Sequence, residues 1–108
     1  MKELNHIGIP TSEKKAGEKY LADAKVFITD AEKSAHKIEW LRFEAGSPMP
    51  GLLKTTTHIA YAVDDIESEM KGKKVLAEPY TPAEGLTVAF IEEEGVAIEL
   101  MQFRGHNT

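Results

Sequence analysis

Two short runs, Leu4-Asn5-His6-Ile7-Gly8-Ile9 and Thr56-Thr57-His58-Ile59-Ala60-Tyr61, each place a histidine ahead of β-branched or small residues, and both read as strands. A second pair closes what these open. Lys37-Ile38-Glu39-Trp40-Leu41-Arg42-Phe43 and Ala97-Ile98-Glu99-Leu100-Met101-Gln102-Phe103 both follow x-Ile-Glu-x-x-x-Phe. The same order of motifs in both halves marks an internal repeat.

Between these strands the pattern predicts a helix in each half. In the first it runs over 12–23, with Thr11 or Ser12 as N-cap after Pro10 and a narrow apolar stripe of Ala16, Tyr20 and Leu21. Gly17 weakens it by about 1 kcal/mol relative to alanine. In the second half Asp64 or Asp65 caps a short helix, with Glu67 three residues after Asp64 as in a capping box. Ile66 and Met70 share one face of it, and Gly72 stops it. Further strands are expected over 25–30 and 36–44, then over 75–80, 86–92 and 96–103, with Glu94-Gly95 as a tight turn.

The first half thus reads β-α-β-β and the second β-α-β-β-β. His6 stands 33 residues before Glu39, and His58 stands 41 before Glu99. The shortfall is about one strand and a turn, so the first half is expected to lack the strand after its helix. Ala45-Gly46-Ser47-Pro48-Met49-Pro50-Gly51 reads as a linker. The whole chain, 1–108, is expected to be one domain, with module one over 1–45, a linker over 46–55 and module two over 56–104.

Alternate residues on a strand share a face, so Glu39 points with Leu41 and Phe43, and Glu99 with Met101 and Phe103. If the first and last strands of each half are neighbours and the sheets curl together, His6, Glu39, His58 and Glu99 approach one point. Imidazole and carboxylate together suit Zn²⁺, Ni²⁺, Co²⁺, Mn²⁺ or Fe²⁺. Singly, each residue has a plainer reading. A strand histidine is more often a surface or satisfied core residue, and a carboxylate on a one-faced strand is simply exposed. The repeated His…Glu pairing favours a site.

Other candidates are weaker. His36 lies three residues before Glu39 and so faces the other way on a regular strand, and His106 sits in a polar tail. The run Glu92-Glu93-Glu94 reads as a solvated hairpin end, and Trp40 as a core or interface residue. The chain has no glycine-rich phosphate loop, serine nucleophile elbow or HExxH motif.

Composition narrows the partners. Of 108 residues, 42% are hydrophobic and 29% charged, the balance of a globular domain. A chain this short has a small core, which a second copy is expected to complete. The net charge of −5 comes with scattered Lys and Arg, which argues against nucleic acid. No apolar run approaches the roughly 18 residues of a membrane span, and the N-terminus does not read as a signal peptide. Cysteine is absent, so disulfides, thiolate sites and cysteine nucleophiles are excluded, and any metal must take nitrogen and oxygen ligands. A cytoplasmic location fits this usage.

The paired segments NHIGIP…KIEWLRF and THIAYAVDDI…VAFIEEEGVAIELMQF resemble the vicinal oxygen chelate superfamily, which includes glyoxalase I, methylmalonyl-CoA epimerase, extradiol dioxygenases and bleomycin-resistance proteins. The likeness spans nearly the whole chain and is strongest from Thr57 to Phe103. The passage IEWLRFEAGSPMPGLLKTTTHIA resembles the inter-module stretch of the epimerase branch. The resemblance implies an α+β fold of two βαβββ-type modules, the first shortened, forming a cupped mixed sheet.

Carried over by position, it implies metal ligation by His6, Glu39, His58 and Glu99, with Glu39 the last-strand ligand of the shortened first module. It further implies a lyase or isomerase in which a divalent ion (Zn, Ni, Co or Mn) polarises adjacent oxygens of a small carbonyl substrate and Glu39 or Glu99 carries a proton. The presence of both glutamates favours this class over the dioxygenases. With only Arg42 and Arg104, no arginine cluster for glutathione or CoA stands out. The alternative is a non-catalytic binding or resistance protein that holds a small molecule between subunits. A homodimer is expected under either.

Overall fold

The described residues contain eight strands, two short helices and one 3-10 turn, an α+β chain built on mixed sheet. The structure, a computed structural model, describes residues 2–104. Two compact units divide it: His6–His58, and a second unit joining the residues before His6 to those after His58.

The His6–His58 unit takes most of β1 (Lys2–Pro10), then β2 (Lys19–Leu21), β3 (Val26–Ile28), β4 (Ile38–Phe43) and α1 (Gly51–Thr55). Its strands lie in the order β2-β3-β4-β1. The β1/β4 pair is parallel, with Ile7 against Ile38, Gly8 against Glu39, Ile9 against Trp40 and Pro10 against Leu41. Parallel neighbours need a long crossover between them, and the antiparallel β2/β3 hairpin lies within it. Backbone bonds from Ile7 N–H to the Lys37 carbonyl and from Thr11 N–H to the Leu41 carbonyl, both 2.8 Å, flank this register.

The helix expected over 12–23 does not form. Those residues make turns and then β2. Gly17 adopts φ +78°, a left-handed conformation that ends any right-handed turn begun before it. The apolar stripe is too thin to compensate: Ala16 is exposed in a turn, and Tyr20 and Leu21 become strand residues. The Tyr20 ring meets Phe27 across β2/β3 with centroids 4.7 Å apart, and its hydroxyl donates to Glu44 at 2.6 Å. What the first half lacks is therefore its helix, and the strand expected to be missing is β2.

The second unit holds β5 (His58–Val63) from Ile59 onward, α2 (Ile66–Met70), β6 (Lys74–Ala83), β7 (Leu86–Glu93) and β8 (Val96–Phe103), with strand order β5-β8-β7-β6. Here a helix does form. The Asp65 carboxylate caps it, accepting from Glu67 N–H at 3.2 Å and from the Ser68 hydroxyl at 2.7 Å. Gln102 Oε1 on β8 accepts from Ile66 N–H at 2.8 Å. Ile66 and Met70 join Val63, Ala89, Ile91, Ile98 and Leu100 in a buried cluster. By strand alternation, α2 thus covers the face of β8 that carries Ile98 and Leu100, leaving Glu99 on the opposite face.

The β7/β8 hairpin runs in unbroken register from Leu86↔Phe103 to Glu93↔Val96. It closes at Glu94 (φ +55°) and Gly95 (φ +78°), the two positive angles of a type I′ turn. Register shifts break the β6/β7 ladder. No described helix is long and apolar enough to cross a membrane.

Candidate metal centre

On β1 the burial pattern alternates at His6, with His6 and Gly8 buried and Ile7 and Ile9 half-buried. Because Gly8 is in register with Glu39, His6 and Glu39 occupy one face of the parallel pair. His6 Nε2 stands 3.4 Å from Glu39 Oε1, with side-chain exposures of 8% and 18%.

His58 reaches the same face by a different route. The segment between β4 and β5 is pinned by Ser47, a buried residue whose hydroxyl donates to the Ala24 carbonyl at 2.6 Å and whose carbonyl accepts from Lys54 Nζ at 3.0 Å. Helix α1 follows, anchored by buried Leu53, and ends as the Thr56 N–H and hydroxyl both donate to the Leu52 carbonyl. Two residues later His58 begins β5, 1% exposed, its ring edge-on to that of His6 with centroids 5.7 Å apart and planes at 83°.

One donor atom from each of His6, Glu39 and His58 lies within 4.8 Å of the other two. Two donors bound to one ion at about 2.1 Å each stand at most about 4.2 Å apart, so small side-chain rotations bring this triangle to coordination distance. Two imidazoles and one carboxylate make up the nitrogen and oxygen donor set that suits a divalent first-row ion. His6 Nε2 and His58 Nδ1 are themselves buried atoms. The residues present fit a divalent ion held by nitrogen and oxygen.

Three of the four residues expected from sequence are therefore together in one unit. Glu99 belongs to the other, where it is buried on β8 opposite Phe90, with Met101 and Ala97 on its face. His36 is exposed in the turn before β4, its N–H bonded to the Ser34 hydroxyl. His106 lies outside the described residues. Trp40 is half-buried on the face of β4 away from Glu39, beneath the Lys15 ammonium at 4.3 Å.

Two features were not anticipated. Gly8 underlies the His58 ring; the sign available in the sequence is that the residue two after each repeated histidine is small, Gly8 and Ala60. The second is a bidentate pair in which Arg42 donates to Glu18 at 2.7 and 2.9 Å. The guanidinium holds the Glu18 carboxyl down to about 2, and no local spacing announces that partnership.

The mixed sheet and few short helices make this an α+β chain of glyoxalase-like fold. The solved structures that share it include a hypothetical protein from Bacillus halodurans, with TM-score 0.70 and 24% identity, covering 99% of this chain and 98% of that one. A methylmalonyl-CoA epimerase from Mycobacterium tuberculosis is similar with TM-score 0.63 and 16% identity, over 95% of this chain and 89% of its own. No protein-family model and no curated protein matches the chain.

Proposed function

We propose that the chain is a divalent-metal-dependent lyase or isomerase of the glyoxalase or epimerase kind, moving a proton at the carbon beside a carbonyl of a small substrate. The observation that carries this reading is the His6–Glu39–His58 triangle, two buried imidazoles and a half-buried carboxylate with donors within 4.8 Å of one another. The fold shared with an epimerase supports it. His6, Glu39 and His58 hold the ion. When bound, the ion supplies Lewis-acid charge for adjacent substrate oxygens.

The protein's own groups divide the remaining work. His6 and His58, both buried, are fixed and exclude water. Glu39 is the most exposed of the three donors and so is the one free to swing. Its carboxylate takes the proton from the substrate carbon and returns it to a carbon, so no oxidant or reductant enters. Glu99 is the other candidate for carrying the proton. The substrate and a second copy of the chain are the proposed partners.

Metal content of protein purified without chelator, compared with His58→Ala, tests the reading. Stoichiometric Zn, Ni, Co or Mn that falls in the variant supports it, and turnover of methylglyoxal–thiol adducts or acyl-CoA epimers would identify the branch. Substoichiometric metal indifferent to His58→Ala sinks it. A chain that takes up an apolar ligand but no metal would be the non-catalytic binding protein instead.

A further inference from the structure

Gly8 sits at the meeting point of the three donors. It is two residues beyond His6 on the same face of β1, it is in register with Glu39, and the His58 ring rests on it. A Cβ at this position would lie 2.0 Å from His58 Cε1 and 2.5 Å from both ring nitrogens, against 3.4–4 Å for ordinary van der Waals contact. Gly8 is not among the positive-φ residues. The requirement is therefore for space, not for backbone conformation.

We infer that Gly8 is a positioning residue: its missing side chain is the notch that seats the His58 imidazole within reach of His6 and Glu39. The consequence for metal rests on the reading given above. A methyl group at position 8 cannot yield, because it is joined directly to the strand. The β1/β4 ladder, flanked by the Ile7 N–H bond to the Lys37 carbonyl, holds that strand in its parallel register. The ring must retreat instead. It must move by far more than the roughly 0.2 Å that a coordination bond tolerates, and one of the three donors is lost.

The test is a double-mutant cycle on the full chain, combined with titration by Zn²⁺ alone. Gly8→Ala is expected to lower Tm in the otherwise unaltered protein and to leave it unchanged in a His58→Ala background, where the ring is gone. Zn²⁺ affinity of folded Gly8→Ala should fall by about 100-fold or more, at or beyond the upper end of losses seen when a ligand's support is removed. If Gly8→Ala alone does not fold, recovery of folding in the double variant gives the same support. An equal Tm penalty in both backgrounds, a double variant that still does not fold, or unweakened zinc binding by Gly8→Ala overturns the inference. Wild-type protein that binds no Zn²⁺ overturns the metal reading itself, while the Tm cycle still decides the relation between Gly8 and His58.

Discussion

Glu18 grips Arg42 through two parallel hydrogen bonds of 2.7 and 2.9 Å, on the face of β4 opposite Glu39. The guanidinium in turn lies 4.1 Å over the Phe27 ring, so one cation joins the 12–18 segment to β3 and β4. Charge-assisted bidentate geometry of this kind is among the stronger polar contacts.

This pair makes stability depend on acid. The Glu18 carboxyl is lowered from 4.5 to about 2 in the folded chain, chiefly by the Arg42 hydrogen bonds. A depressed folded value means that the contribution is fully present above pH 4.5 and is lost as pH falls toward 2. Urea midpoints measured between pH 6 and pH 2 should fall across that window, and Glu18→Gln should flatten the decline. An unchanged profile in the variant would show that the pair does not set the acid response.

Metal should stabilise the folded state because the triangle exists only there. Ligand at 100 times its dissociation constant adds about 2.7 kcal/mol. Thermal melts with saturating Zn²⁺ should rise relative to melts in chelator, and His6→Ala should abolish the difference. A His6→Ala protein that still gained stability from Zn²⁺ would place binding elsewhere on the chain.

Lys37 holds φ +57° two residues before Glu39, and its carbonyl receives the Ile7 N–H that sits beside His6. A left-handed conformation costs a residue with a side chain about 1–2 kcal/mol. Glycine removes that strain but makes the unfolded chain more flexible. Lys37→Gly should therefore raise stability by at most about 1 kcal/mol, seen as a higher denaturation midpoint with unchanged slope. A loss of more than that would mean the lysine side chain holds something the backbone argument omits.

How far the sequence carried the argument can be read residue by residue. The strands of the second half are legible as compact apolar runs, and Glu94-Gly95 names its own turn, although β6 extends over Lys74–Ala83 where 75–80 is expected. The α2 helix is legible through Ile66, Met70 and an aspartate cap, Asp65 being the one of the two candidates that caps. Residues 12–23 carry a cap signal and three apolar residues at helical spacing, but Gly17 at φ +78° breaks the helix they suggest. Tyr20 and Leu21 fit a three-residue strand equally well once Phe27 and Val26 are there to pair with them. His6, Glu39 and His58 could be found from the repeat, since a duplicated motif reports long-range proximity that no local window contains. The steric fit of Gly8 under His58, and the meeting of Glu18 with Arg42, depend on tertiary packing and left no periodic trace.

The two glutamates can be separated by asking which of them carries the proton. Positioned general acid–base groups contribute about 10²–10⁴-fold to rate, while a carboxylate that only ligates metal acts through metal content. Glu39→Gln and Glu99→Gln keep the shape of each side chain and remove its basicity. With metal occupancy of each variant measured in parallel, exchange of the substrate's carbon-bound hydrogen with D₂O can be followed by NMR. Glu39→Gln is expected to slow exchange by about 100-fold or more even where metal is restored by excess, because Glu39 is the most exposed of the three clustered donors and has room to move. Glu99→Gln should slow exchange as well if Glu99 carries the proton, the role the resemblance allows it. Exchange at the wild-type rate in metal-loaded Glu39→Gln would remove it as the base, and the same result for Glu99→Gln would leave Glu99 a buried residue of β8 with no part in proton transfer.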